Sequence, residues 1–276
     1  MRSPPHRVPG EKGRFEARSL ARGLAAWGEQ LLWGGRMREE LLIWFLRRHY
    51  QSLFRRLWKL NRVKPHFTNH RLAWFLFGFG ASAIHPYQLA RAFYSAEALQ
   101  PEDIVLDIGC GDGFLTNHFL STQCAEVDAI DVEPAAIREA KRTNARTNIT
   151  YFLRDAVRDP FPRNKYDVII WNGAIGHFTT ADAALLVQKI ATALRPAGIF
   201  AGSESLGHEG HDHLQFFETI EDLQEVFRLH FANVSAKALC YPINNATFIR
   251  NEAYWRCSNS CARFAKLSWR HPSIHP

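Results

Sequence analysis

Apolar runs long enough to cross a bilayer are missing from this 276-residue sequence. The longest candidate, residues 72–84 (LAWFLFGFGASAI), covers thirteen positions, whereas a membrane-spanning helix needs about twenty. We therefore expect this segment to form a lid or a buried helix. An uninterrupted apolar core, which a secretory signal requires, is also missing near the start, where Pro and Glu residues stand instead.

Cysteine is scarce as well. The chain has five cysteines, an odd number without the regular spacing of a disulfide framework. This usage is typical of proteins in a reducing compartment, and a cytoplasmic location is expected. A triphosphate-binding loop is excluded on similar grounds, because no glycine-rich run ends in Gly-Lys-Ser or Gly-Lys-Thr.

The most informative stretch that is present is residues 105–113, VLDIGCGDG. A short β-branched run, 104–106, predicts a strand buried on both faces of a parallel sheet. Three glycines at alternate positions then allow positive φ angles and close approach of the backbone to a ligand. The segment from Phe114 (FLTNHFL) has helical spacing, so its first amides face the same space. Strand, glycine turn and helix together predict a nucleotide-type cofactor site.

The glycine spacing indicates which cofactor. It is G-x-G-x-G rather than the G-x-G-x-x-G of dinucleotide-binding turns, and Asp107 stands just before it. A carboxylate beside the turn suits a ligand with an ammonium group and hydroxyls better than a pyrophosphate. This combination favours S-adenosylmethionine. A second acid, Asp131, ends the next predicted strand, where a carboxylate can accept hydrogen bonds from both ribose hydroxyls.

Strands then alternate with helical segments, which implies parallel βαβ units. The predicted strands are 125–132, 149–155, 166–173 and 199–204, and the predicted helices are 134–145 and 181–194. Residues 195–198 (RPAG) are expected to close the second of these helices.

With these elements in order, residues 86–255 resemble a class I S-adenosylmethionine-dependent methyltransferase of the small-molecule type. The motifs that carry the resemblance are VLDIGCGDG, DAIDVEP, LRDAVRD, YDVIIWNGAIGHF and ALRPAGIFAGSE. The resemblance implies an α/β fold, a Rossmann-like doubly wound sheet of seven strands, mostly parallel with an antiparallel last strand. It adds a helix at 218–230 and strands at 232–239 and 246–255.

The resemblance also implies the residues that bind S-adenosylmethionine. Those around its methionine part are Asp107, Gly109, Cys110, Gly111 and Gly113, although Cys110 is equally suited to be a small packing residue. Asp131 and Val132 would lie at the ribose, and Asp155 at the adenine amino group, with the Ala156 amide facing the ring. Asn172 and Gly173 would line the amino-acid end of the cofactor.

Two histidines are the candidate catalytic residues on the acceptor side. His177 follows the fourth strand and, as a neutral imidazole, can accept a proton from a hydroxyl acceptor. Many small-molecule members of the family have an acidic residue before this histidine, but Gly176 stands here. His213 is the second candidate. With His208 and His211 it also invites interpretation as a metal site, yet no metal is predicted, because this stretch lies where related enzymes carry an acceptor-binding loop.

Features that the domain lacks narrow the range of possible acceptors. The Asn-Pro-Pro-Tyr signature of methylation at amino groups of bases or glutamine is missing, and residues 65–276 are slightly acidic, unlike an RNA-binding domain. O-methylation of a small-molecule, glycan or lipid-linked acceptor is therefore favoured over nucleic acid. Aromatic residues could wall the pocket or belong to the core: Phe178, Phe216, Phe217, Tyr241 and Tyr254.

The first third of the chain differs in charge. Residues 1–64 contain fifteen Lys or Arg and five Asp or Glu, a net of +10, whereas the remainder has a net of −3. We predict a flexible basic leader at 1–35, a helical extension or lid at 36–85, and the methyltransferase domain at 86–276. The extension has apolar residues at helical spacing: Leu42, Phe45, Leu46, Tyr50, Leu53, Phe54, Leu57 and Trp58.

Residues 39–64 therefore form a basic amphipathic segment, and two partners remain open for it. It can contact an anionic membrane surface, or it can pack on the catalytic domain with its charges solvated. Two other functions also remain open: a nucleic-acid methyltransferase tethered by the basic arm, and a scaffold that binds the cofactor without catalysis. The sequence does not indicate the oligomeric state.

Overall fold

The computed structural model describes residues 86–208, 213–243 and 248–267, together with Trp44, Phe45, Arg48 and His49. These four residues are helical, as predicted for the basic segment. The predicted leader, the predicted lid at 72–84 and the rest of the basic segment lie outside the described residues. Among the residues described, no helix is both long and apolar enough to cross a membrane.

A seven-stranded sheet in the order β3-β2-β1-β4-β5-β7-β6 forms the centre of the domain. Strands β1 to β5 are parallel to one another, and β7 pairs antiparallel with both β5 and β6. The strands are β1 (Ile104–Ile108), β2 (Glu126–Asp131), β3 (Ile149–Leu153), β4 (Tyr166–Asn172), β5 (Leu194–Leu206), β6 (Asn233–Ile243) and β7 (Phe248–Ser258). The predicted doubly wound, seven-stranded Rossmann-like fold is confirmed.

Helices follow most of the strands, as expected for right-handed βαβ crossovers. They are α1 (Pro86–Ala96), α2 (Pro134–Thr143), α3 (Thr180–Ala193), α4 (Ile220–Arg228) and α5 (Cys261–Leu267). Three of them begin at side-chain caps, provided by Glu133, Thr179 and Thr219, each of which accepts a hydrogen bond from a first-turn amide.

The core lies on both faces of the sheet, because successive residues of a strand point to opposite sides. In β4, Ile169 and Trp171 face a cluster with α3 and α4, whereas Val168 and Ile170 face a second cluster with α2. All four side chains are fully buried. A strand buried on both faces reads as a continuous apolar run, which is how β1 and β4 could be located in the sequence.

One local prediction was wrong, and one element differs in detail. Residues 195–198 do not simply close a helix, because β5 already begins at Leu194, which pairs with Tyr166 before the register shifts to Val168 and Ile199. The helix predicted from Phe114 is present, but most of it is not a regular α-helix. Its residues Thr116–Leu120 form a π turn, in which the Ser121 amide donates to the Thr116 carbonyl. Local residue types do not signal either irregularity, since both depend on tertiary pairing.

Candidate active site

The carboxyl ends of the five parallel strands meet at one edge of the sheet, and the polar residues of the predicted site lie there. Ile108 of β1 pairs with Ile130 of β2 and with Trp171 of β4. The glycine turn after β1 therefore lies between Asp131 at the end of β2 and Asn172 at the end of β4. In open α/β sheets this position, where the strand order reverses, is the usual place for a ligand.

The glycine turn folds as the sequence predicts. Gly109, Gly111 and Gly113 have φ angles of 72°, 57° and 73°. The amides of Gly109 and Cys110 both donate to the Ile130 carbonyl, at 2.9 and 3.1 Å. At Gly113 there is also no room for a side chain, because a Cβ atom would lie 2.5 Å from the Tyr151 hydroxyl. The turn is thus fixed against both β2 and β3.

Asp131 is held in a single orientation beside this turn. Its Oδ2 accepts the Gly111 amide at 2.9 Å, and its Oδ1 accepts the Glu133 amide at 2.8 Å. Burial raises the pKa of Asp131, and these backbone amides oppose the increase by stabilising the charge. Each carboxylate oxygen still has a lone pair available for a further hydrogen bond.

Asp107 is more deeply buried, with 5% of its surface exposed. Its Oδ2 accepts the Thr116 hydroxyl at 2.6 Å. Burial raises the pKa of Asp107 to about 6, although the Thr116 hydrogen bond favours the ionised form. The neighbouring Cys110 thiol is partly buried, and burial raises its pKa well above the ordinary value, so it is not a reactive thiolate.

The segment after β3 forms a compact loop. Asp155 Oδ1 accepts the amides of Val157 and Arg158 at 2.9 and 3.1 Å. Lys189 Nζ donates to the Ala156 carbonyl at 2.7 Å from the opposite side. Across the sheet edge, Val132 is 66% exposed and offers an apolar surface beside Asp131.

Asn172 connects three elements through its side chain. Its Nδ2 donates to Ser95 Oγ of α1 at 2.9 Å, and its Oδ1 accepts Ser203 Oγ of β5 at 3.1 Å. The adjacent Gly173 has a φ of 59°. Because its amide nitrogen and its carbonyl oxygen are both engaged in this way, the Asn172 side chain is first a structural link. Its contact with a cofactor stays a prediction.

The two candidate catalytic histidines lie together. His177 ends a 3-10 turn, Ile175–His177, and its ring centroid is 4.6 Å from that of His213, edge to face. The segment carrying His213 is attached to the turn by the Leu214 amide, which donates to the Gly176 carbonyl at 2.8 Å. Gly176 makes this approach feasible, because a Cβ atom there would lie 2.8 Å from His213 Nδ1.

A buried carboxylate that sequence reasoning missed reaches the same turn. Glu204, at the end of β5, is 2% exposed, and its Oε2 accepts the Gly176 amide at 3.1 Å. Its Oε1 accepts the amide and the hydroxyl of Ser205, at 2.8 and 3.1 Å. A buried carboxylate from the next strand therefore contacts the backbone of the residue before His177.

A second missed group joins α1 to β7. Arg91 Nε donates to Glu252 Oε1 at 2.5 Å, and Arg250 Nε donates to Glu252 Oε2 at 2.9 Å. The Arg250 guanidinium lies 4.0 Å from the ring centroid of Tyr87. Burial lowers the pKa of Arg91, but the Glu252 carboxylate outweighs this effect, and the net pKa is raised. Arg91 is therefore permanently charged.

Comparison with known proteins identifies this arrangement. Residues 105–198 match the family described as "Methyltransferase domain". The chain is 27% identical over 158 residues to the ribosomal protein L11 methyltransferase of Burkholderia multivorans, covering 56% of this chain and 48% of that protein. It is 32% identical over 117 residues to the malonyl-[acyl-carrier protein] O-methyltransferase of Acetivibrio thermocellus, covering 42% and 40%.

Among solved structures, the YcgJ protein of Bacillus subtilis has the same fold, with a TM-score of 0.52 at 14% identity, covering 62% of this chain and 99% of that one. The chain contains a class I S-adenosylmethionine-dependent methyltransferase domain. The chain spans about half the length of the curated relatives it matches.

The residues of this methyltransferase domain fit S-adenosylmethionine. The glycine turn leaves backbone exposed beside two buried carboxylates, and Asp131 retains lone pairs for the ribose hydroxyls. Asp107, when ionised, would accept hydrogen bonds from the ammonium group, and the exposed Val132, predicted at the ribose, offers an apolar surface beside Asp131. The roles of Asp155 and Ala156 at the adenine stay predictions.

Most of the remaining candidate residues of the methyltransferase domain pack against other side chains. Phe178 packs edge to face on Trp171 at 5.2 Å, and Phe217 is buried in the core. Phe216 stacks on His208 at 4.3 Å, and the hydroxyls of Tyr241 and Tyr254 are 2.8 Å apart. His211 lies outside the described residues, within which no group of three metal-ligating side chains occurs.

Sequence reasoning could not find Arg91 and Glu252, since they are 161 positions apart. Glu204 carried a weak signal, because it ends a predicted strand on the same edge as the other acids. A rule that every acid at the carboxyl end of a parallel strand is a candidate would have included it.

Proposed function

We propose that this protein transfers a methyl group from S-adenosylmethionine to an acceptor held over the ends of β4, β5 and β7. The observation that carries the proposal is the contact between His177 and His213, in the turn that follows β4 and the predicted cofactor residue Gly173. The curated relatives, whose names describe methylation of a ribosomal protein and of malonyl-acyl-carrier protein, support the reaction class without fixing the acceptor.

The acceptor that we favour carries a hydroxyl on a small molecule, a glycan or a lipid. When bound, S-adenosylmethionine supplies an electrophilic methyl group on a sulfonium. The His177 imidazole would accept the hydroxyl proton as the acceptor oxygen took the methyl group, and S-adenosylhomocysteine would leave as the second product. His213 packs against that imidazole and orients it, and Glu204 holds the turn that carries it.

A calorimetric titration of the full chain tests the cofactor. We expect micromolar binding of S-adenosylmethionine and S-adenosylhomocysteine and none of NAD. Binding of NAD, or of none of the three, would contradict the proposal. Binding without any methyl transfer would instead favour the non-catalytic scaffold, and salt-sensitive methylation of RNA or DNA would favour a nucleic-acid methyltransferase.

The role of His177 is tested by His177→Ala, assayed with radiolabelled S-adenosylmethionine and a small-molecule extract as acceptor source. We expect turnover to fall by a factor of about 100 or more, the usual contribution of a general base, while S-adenosylhomocysteine binds as before. His208→Ala is the matched control, because that histidine is 76% exposed and contacts Glu218 on the surface. Unchanged turnover in His177→Ala would assign this histidine to packing alone.

A further inference from the structure

We infer that Lys189 of α3 is a positioning residue for recognition of the adenine ring, and that it acts through the loop of residues 155–159. The inference rests on the proposed function and adds a determinant of cofactor specificity to it. It follows from the carbonyl groups of this loop that converge on the Lys189 ammonium, and from the place of the loop beside Asp131.

The Lys189 ammonium is surrounded by backbone oxygens of the loop. Its Nζ donates to the Ala156 carbonyl at 2.7 Å and to the Asp159 carbonyl. The Val157 carbonyl makes a longer contact with it, at 3.5 Å. The centroid of the Phe161 ring lies 4.3 Å from the same nitrogen. An ammonium has three N–H donors, so the three carbonyls can engage all of them, and the ring adds a cation–π contact.

Holding a lysine in this place has a cost. Burial lowers the pKa of Lys189, and the charges of Asp155 and Asp159 oppose this decrease. The long side chain also loses rotamer freedom when its end is fixed. Charge-assisted hydrogen bonds, which are about twice as strong as neutral ones, offset these losses. Lys189 therefore fixes the directions in which the loop carbonyls point.

The amides of the same loop point to Asp155. Its Oδ1 accepts the amides of Val157 and Arg158, at 2.9 and 3.1 Å. The Asp155 amide in turn donates to Asp159 Oδ2 at 2.8 Å. Lys189 thus holds the carbonyls of the loop while Asp155 holds its amides. Removal of the ammonium releases the carbonyls, and the Asp155 carboxylate then loses its fixed orientation.

The second oxygen of Asp155 can bind a ligand. Nη1 of Arg158 lies 3.3 Å from Asp155 Oδ2, and the Arg158 side chain is 85% exposed. An ion pair this exposed contributes little to stability, so a ligand amino group can replace it. An ionised carboxylate accepts hydrogen bonds and donates none. Asp155 therefore suits the amino group of adenine and disfavours a carbonyl oxygen in the same place.

The loop lies where the adenine ring is expected. The Arg154 amide donates to the Asp131 carbonyl at 2.9 Å, so the loop begins beside the predicted ribose residue. The sheet order places the glycine turn after β1 on the other side of Asp131. In S-adenosylmethionine the ribose joins the methionine part to the adenine. A methionine part at the glycine turn therefore directs the adenine toward the end of β3 and this loop.

The test compares two ligands by calorimetry on the full chain: S-adenosylhomocysteine, and S-inosylhomocysteine, in which an oxo group replaces the adenine amino group. We expect the wild type to bind the adenosyl ligand about tenfold or more tightly, because a site built around an amino group rejects an analogue without it. Lys189→Met should lower the affinity for the adenosyl ligand about tenfold or more and that for the inosyl ligand much less, which removes most of the preference.

Lys165→Met is the matched control. Lys165 Nζ also donates to two carbonyls, those of Thr192 and Leu194, but these lie at the end of α3 rather than in the loop. This variant should have a lower melting temperature and an unchanged preference. Lys189→Gln keeps a donor for one loop carbonyl and should retain part of the preference. It carries the comparison if Lys189→Met does not fold.

An unchanged preference in Lys189→Met, or in Lys189→Gln if that variant alone folds, would overturn the inference and leave Lys189 a structural residue. Equal binding of the two ligands by the wild type would also overturn it, because the loop would then not recognise the adenine amino group. Failure of the wild type to bind S-adenosylhomocysteine would instead refute the proposed function.

Discussion

At the scale of single residues, burial favours the protonated form of Asp107, whereas binding of an ammonium ligand favours its ionised form. Because its folded pKa of about 6 is above the ordinary carboxyl value of 3.8, the folded protein binds the proton more tightly than the unfolded chain. The resulting stabilisation is complete below about pH 4 and is lost as pH rises from about 4 to about 6. An ammonium ligand, in contrast, requires the ionised form.

Asp107→Asn separates these two effects. Across the window from pH 4 to 6, the free energy of unfolding of this variant should rise by about 2–3 kcal/mol relative to wild type, measured by urea denaturation. In the wild type, S-adenosylmethionine should bind more tightly as pH rises through about 6, and the variant should show weaker binding without this dependence. Parallel stability profiles would show that Asp107 titrates normally.

Asp131 can be tested in the same way without a change of shape. Asp131→Asn keeps one oxygen for the Gly111 or Glu133 amide but loses the charge offered to the ribose hydroxyls. We expect S-adenosylhomocysteine binding to weaken by about 1–3 kcal/mol in calorimetry. Asp182→Asn, at the exposed start of α3, is the control. Wild-type affinity in Asp131→Asn would remove Asp131 from the cofactor site.

At the scale of secondary structure, the start of α4 shows how well the local sequence predicts a helix and its ends. The Thr219 hydroxyl accepts the Asp222 amide at 3.2 Å, and the Asp222 carboxylate accepts the Thr219 amide at 2.9 Å, a complete capping box. The predicted helix of 218–230 corresponds to Ile220–Arg228, so its presence was correct and its ends were two residues too long.

Thr219→Ala should destabilise the protein by about 1 kcal/mol, because the Asp222 amide loses the hydroxyl that accepts its hydrogen bond. Thr192→Ala is the matched control, since the Thr192 hydroxyl donates to the Gln188 carbonyl inside α3 and caps no helix end. The measurement is chemical denaturation of both variants. Equal losses in the two would show that the capping box contributes nothing beyond an ordinary surface hydroxyl.

The elements that sequence predicted well are those whose signal is local. The glycine turn, the acids at the ends of β1 and β2 and the alternation of strands and helices all follow from residue types within a few positions. The early start of β5 and the π turn at Thr116–Leu120 do not, because they depend on pairing with Tyr166 and on the surroundings of the turn.

At the scale of the whole molecule, the long-range contacts beyond β4 were the least predictable part of the candidate site. Arg91, Glu204 and Glu252 come from α1, β5 and β7, and they meet only because the sheet order places β7 between β5 and β6. No spacing in the sequence encodes that order. The glycine turn and the acids at the ends of β1 and β2 were predictable because they follow successive strands, whereas the Arg91–Glu252 contact joins opposite ends of the domain.

The other feature of the whole chain is its charge asymmetry, +10 in residues 1–64 against −3 in the remainder. We propose that the protein is cytoplasmic and that residues 39–64 contact an anionic membrane surface. Two observations support contact with lipid: Trp44 and Phe45 are 58% and 52% exposed, and the Arg48 guanidinium lies 5.6 Å from the Trp44 ring centroid. Exposed aromatics beside arginines are typical of interfacial helices.

Vesicle sedimentation of the full chain tests this proposal. We expect binding to phosphatidylserine-containing vesicles, weak binding to pure phosphatidylcholine, and a decrease with salt, since each basic residue near the surface contributes about 1 kcal/mol. Replacing Arg47, Arg48, Arg55 and Arg56 by Gln should abolish binding and leave S-adenosylhomocysteine affinity unchanged. If the segment packs on the catalytic domain instead, the same variant should have a lower melting temperature than the wild type. The wild type should then bind neither kind of vesicle.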